Sequence, residues 1–144
     1  MKDILQPLLD QFMPFAQKRM GFQKPPRVFL RDDPQNAQDP LGKTAYYDPA
    51  KMSVTLFTNG RHPKDIMRSL SHELIHHTQN CNGQFHDVGE MGEGYAQNDE
   101  HLREMERQAY EEGNLCFRDW EDSIKGTIYN ESLQKGAKNK MSFK

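Results

Sequence analysis

The chain has 144 residues, 35% of them hydrophobic, and its 19 basic and 21 acidic side chains leave a formal net charge of −2. That length suits a single domain with a real core, and no run of 18 apolar residues offers a membrane span. Two cysteines are too few for a disulfide scaffold, the first residues lack the apolar stretch of a signal peptide, and near-neutral charge argues against nucleic-acid binding, so a cytoplasmic globular domain is expected.

In chain order, Ile4, Leu5, Leu8, Leu9, Phe12, Phe15, Ala16 and Met20 recur at the spacing of an amphipathic helix over residues 2–20, closed by Gly21. Pro7 fits a first turn, whereas Pro14 should kink or split that helix. Arg27–Arg31 reads as a short strand, Asp32–Lys43 as a loop and Thr44–Asp48 as a second strand. Met52–Phe57 alternates, with Met52, Val54 and Leu56 opposite Ser53, Thr55 and Phe57, as a half-buried strand does. Residues 63–80 contain no breaker, and Pro63 stands where a first helical residue would, with His62 at the helix start. Four glycines make Cys81–Tyr95 a long loop. A last helix is expected from Asn98 or Asp99 to about Asp122, interrupted by Gly113. Five lysines against Glu131 mark residues 123–144 as a basic tail.

The helix over residues 63–80 carries His72-Glu73-Leu74-Ile75-His76, an HExxH pattern. Residues four apart share a helix face, so two imidazoles can grip one Zn²⁺ at about 2.0–2.1 Å. The intervening glutamate can then reach a water activated by the metal and take its proton. At this chain's His and Glu frequencies, chance gives the pattern in roughly two of a hundred such chains.

A catalytic zinc needs a third protein ligand and an open position. Projected at about 100° per residue from Leu102, the last helix has an apolar stripe through Ala109, Gly113, Cys116 and Trp120, flanked by Met105 and Phe117. Glu106 falls inside that stripe, about 40° from its centre, where a carboxylate is costly unless paired or metal-bound. Ala109 and Gly113 would let the two helices approach closely. His86 and His101 are the other third-ligand candidates by residue type. Gly83 and His86 share the Gly-x-x-His spacing of metzincins, but Gln79 and Asn82 stand where that pattern demands Gly and His. Cys81 could also ligate, whereas Cys116 on the stripe reads as a core thiol.

His72, Glu73 and His76, followed by Glu106-Arg107-Gln108-Ala109, resemble the gluzincins, HExxH zinc metallopeptidases whose third ligand is a glutamate on a following helix. The order of elements is similar too, over roughly residues 44–122, and small phage-type and prokaryotic peptidases of this kind are similar in size. The resemblance implies an α+β, zincin-like core: N-terminal helix, small three-stranded sheet, active-site helix and glutamate helix, as one domain over residues 1–122. It implies peptide-bond hydrolysis, with Zn²⁺ on His72, His76 and Glu106, Glu73 as catalytic base, and a protein or peptide as substrate. It further implies that Met52–Phe57 is an edge strand that pairs with extended substrate. No further motif supplies the oxyanion donor; Tyr95, Tyr110, His77, His86 and His101 are the candidates. Two other readings stay open: a catalytically silent, metal-stabilised binding protein, and a zinc hydrolase of a non-peptide bond. Residues 87–122 hold 12 acidic residues against Arg103, Arg107 and Arg118, which reads as a solvated helix face.

Overall fold

The computed structural model describes residues 2–33, 44–83 and 100–127. Its elements are α1 (Lys2–Met20), β1 (Arg27–Arg31), β2 (Ala45–Asp48), β3 (Ser53–Phe57), α2 (Pro63–Cys81) and α3 (Glu100–Ser123). The fold is therefore α+β, three helices with a small mixed sheet of order β1-β3-β2. None of these helices is long and apolar enough to cross a membrane.

Helix α1 runs unbroken through Pro7 and Pro14, contrary to the expected kink. Both prolines lie on the exposed side, seven residues apart, while Leu5, Leu8, Leu9, Phe12 and Ala16 face inward. An interior proline costs about 3 kcal/mol. Burying each large apolar side chain returns about 1.5–3 kcal/mol, so four of them outweigh the two prolines. Gly21, at φ +89°, ends the helix by donating its N–H to the Gln17 carbonyl at 2.8 Å.

β3 is the central strand. It pairs in parallel with β1 (Val28 opposite Val54) and antiparallel with β2 (Tyr47 opposite Val54). This overturns the expected edge position of Met52–Phe57, whose backbone is committed on both sides. All five residues of β3 are buried, not one face only. Ser53, paired with Arg27 and Asp48, and Thr55, paired with Phe29 and Tyr46, are buried on the outer face, while Val54 and Leu56 enter the core. Met52 is not in the strand. At φ +49° it closes the β2–β3 turn, in which Asp48 Oδ1 accepts from the N–H groups of Ala50 (3.0 Å) and Lys51 (3.2 Å).

His62 caps α2, its Nδ1 accepting from the Lys64 N–H at 3.0 Å, with Pro63 at the first turn. Arg61 braces this entry. Its guanidinium donates to the carbonyls of Thr44, Phe57 and Asp65 and to Ser69 Oγ, tying β2, β3 and α2 at one point. In the core, α1, α2, α3 and the sheet's inner face meet around Phe12 and Trp120, whose rings pack edge-on at 5.1 Å. The buried face of α3 is Leu102, Met105, Ala109, Gly113, Cys116, Phe117 and Trp120, the stripe read from the sequence.

Candidate metal centre

Gly113 does not interrupt α3; it lets α3 cross α2. A Cβ built there would lie 3.0 Å from His72 Cα and 3.1 Å from His72 N, both backbone atoms. Ser71 Oγ donates to the Gly113 carbonyl at 2.6 Å at the same crossing. Two turns earlier on α3, Glu106 comes opposite the imidazoles of α2. Its Oε1 lies 3.0 Å from His76 Nε2 and its Oε2 lies 3.6 Å from His72 Nε2.

The three side chains offer ligand atoms all within 4.8 Å of one another, and no other such group of three or more His, Cys, Asp or Glu occurs among the described residues. A tetrahedral zinc with bonds near 2.0–2.1 Å has ligand–ligand edges of about 3.3 Å. The 3.0 and 3.6 Å separations straddle that value, so the three side chains could hold a metal ion. Two neutral imidazoles and one carboxylate are also a common donor set for catalytic zinc.

The site opens into a cleft of about 390 Å³ lined by Thr44, Ala45, His72, Glu73, Glu106 and Tyr110, among others. Here the sequence reading of Glu106 is corrected. Its side chain is 54% exposed, against 19% for His72 and 11% for His76. This part of the stripe faces the imidazole pair and the open cleft, so the carboxylate is partnered without being entombed.

Charge is arranged around that opening. The facing imidazoles of His72 and then His76 hold the Glu106 carboxyl well below the usual carboxylate range. Burial works to lower His76, but its bonds to Glu106 and Gln79 more than offset this and raise it. Burial pushes the Glu73 carboxyl up; His76 and His72 counter this in part and Glu106 adds to it.

The remaining candidates separate cleanly. Tyr110, 62% exposed, sits at the cleft with its ring edge-on to His72 at 4.5 Å. His77 is fully buried and does not line the cleft; its Nδ1 is 2.7 Å from Tyr47 Oη and its Nε2 2.5 Å from the Lys24 carbonyl. His101 is the second residue of α3 and is not among the converging ligands. Cys116 is buried in the core, and Cys81 lies beside His77, its Sγ 3.5 Å from Nε2. His86 and Tyr95, and most of the loops over 32–43 and 81–95, lie outside the described residues, as does most of the basic tail.

The sequence reading missed Gln79. It weighs that residue only against the glycine a metzincin needs, yet Gln79 lies one helical turn after His76 on the same face, and its Oε1 is 2.8 Å from His76 Nδ1. A scan of protein-family models finds no match to this chain, and searches of curated proteins and of solved structures find none either.

Proposed function

We propose that the protein is a zinc-dependent peptidase with a zincin-like core of the gluzincin type. The observation that carries this reading is the convergence of His72, His76 and Glu106, with His72 and Glu106 lining an open cleft together with Glu73. Zinc, when bound, supplies the Lewis acidity that makes water a nucleophile near neutral pH and polarises the scissile carbonyl.

The protein's own groups do the rest. His72, His76 and Glu106 hold the ion, and the openness of the cleft beside them leaves room for water and substrate. Glu73 Oε takes the proton of the attacking water and passes it to the leaving amine; its raised pKa brings it closer to that task. Tyr110 Oη is the cleft-side donor for the developing oxyanion. With β3 paired on both sides, the strand that can receive an extended substrate is β2. It pairs with β3 alone among the described strands, and Ala45 at its start lies on the cleft rim. A protein or peptide in extended conformation is therefore the substrate.

The test uses the zinc-reconstituted chain, a denatured protein mixture as substrate and mass spectrometry of the new termini. The wild type cleaves. Glu73→Gln keeps its zinc and loses about 10²–10⁴-fold in rate, the usual contribution of a general base. Undiminished cleavage by Glu73→Gln, or none by the zinc-loaded wild type, rejects the proposal.

A further inference from the structure

We infer that Gln79 is a positioning residue that fixes the His76 ring for metal binding and, through the same amide, holds the peptide from which Glu106 projects. The inference rests on the metal-centre reading above and adds a residue outside the HExxH and glutamate motifs.

Gln79 is buried, 3% exposed, where an amide needs partners for both of its ends. Its Nε2 donates to the Met105 carbonyl at 2.9 Å and to Gln108 Oε1 at 3.1 Å. The Met105 carbonyl can only accept, so the nitrogen must point at α3 and the oxygen at α2. Gln79 Oε1 then faces His76 Nδ1 at 2.8 Å, and a carbonyl oxygen at that distance requires the proton on Nδ1. With the proton held on Nδ1, Nε2, the nitrogen that faces Glu106, is the one left to give its lone pair to a bound cation.

Met105 immediately precedes the third ligand on α3. Its carbonyl belongs to the peptide that links it to Glu106, so one side chain of α2 grips the backbone immediately before the third ligand. The Gly113 crossing lets the helices approach; Gln79 sets how α3 lies along α2 at the level of the site. The partner of a metal-bound histidine is commonly a carboxylate, a backbone carbonyl or water, and it orients the ring. Here a neutral amide does so, and its two N–H groups tie it to the other ligand helix.

The experiment compares wild type, Gln79→Met and Gln108→Ala by zinc competition titration, and by NMR detection of the His76 Nδ1 proton in the metal-free chain. In wild type the Nδ1 proton is observed and protected from exchange. Gln79→Met loses that protection and binds zinc about 10–100-fold more weakly, the usual effect of removing an outer partner. Gln108→Ala, which leaves both the His76 and the Met105 bonds in place, stays within about threefold of wild type on the same scale.

A wild-type His76 protonated only at Nε2 overturns the inference, and does so even if Gln79→Met fails to fold. So does a Gln79→Met protein that binds zinc like wild type, or a Gln108→Ala loss as large as that of Gln79→Met, which would mean general packing. A wild type that takes up no zinc overturns the metal-centre reading instead, and the Nδ1 proton then decides the role of the amide by itself.

Discussion

His76 and His77 are adjacent, chemically identical and on one helix, yet about 100° of helical rotation gives them opposite surroundings. His77 is enclosed. Its Nε2 donates to the Lys24 carbonyl, its Nδ1 accepts from Tyr47 Oη, and Tyr47 Oη in turn accepts from Asn80 Nδ2 at 3.0 Å. Burial lowers its pKa, opposed in part by the Lys24 bond, so it is held neutral with its polar needs met by protein. His76 has Gln79 on one nitrogen and an exposed carboxylate on the other. A histidine satisfied by protein groups on both nitrogens is a core residue, whereas one whose Nε2 faces a carboxylate and a second imidazole is arranged for a cation.

That contrast can be broken on its open side first. Glu106→Gln removes the anionic ligand and should weaken zinc binding by more than about 100-fold, above the range for outer partners. His101→Ala should leave it within about threefold. A competition titration checks both, and equal losses would dissolve the distinction between converging and non-converging residues.

On the closed side, His77→Leu removes the acceptor of the Tyr47 hydroxyl and the donor to the Lys24 carbonyl. Losing these two buried bonds should lower stability by about 2–4 kcal/mol in urea unfolding, with zinc affinity unchanged. No loss of stability would mean that the network does not hold this face together.

Where the two faces meet α3, Gly113→Ala sets a gain against a strain. Alanine improves helix propensity by about 1 kcal/mol, but overpacking against helix backbone costs about 1–3 kcal/mol. The nearest atoms are backbone atoms of His72, which cannot rotate away, so a net loss of up to about 2 kcal/mol is expected together with weaker zinc binding. A stabilised variant with unchanged zinc affinity would show that the crossing is looser than the distances indicate.

The smallest effect is a titration. Burial, opposed by the Asn80 bond, raises the Tyr47 phenol from 10.0 to about 12. The unfolded chain releases this proton first, so the phenol's contribution to stability is complete below pH 10 and is lost as pH rises toward 12. Ultraviolet difference spectra should show one tyrosine ionising late in the wild type and not in Tyr47→Phe. Simultaneous ionisation of all tyrosines would place Tyr47 in water.

Much of this was legible in the sequence because it depends on local spacing. The HExxH pattern, the α3 stripe and the narrow waist at Gly113 follow from helical periodicity alone. What was not legible depends on neighbours in space. Pro14 is tolerated because the opposite face of α1 buries Phe12 and Leu8. Alternation in residues 52–57 could not reveal that β1 pairs across β3 from β2, making an expected edge strand central. The angular position of Glu106 was right and its burial wrong, because projection onto a wheel says nothing of what stands opposite. Gln79 carries a signal, a polar residue one turn after a ligand histidine, but its meaning depends on the Met105 carbonyl, 26 residues away.

The account is tested most directly by zinc stoichiometry in the neighbouring-histidine pair, measured by elemental analysis of folded protein after dialysis. Wild type and His77→Leu should each retain one zinc per chain, and His76→Ala none. Zinc retained by His76→Ala, or lost from a folded His77→Leu, would contradict it.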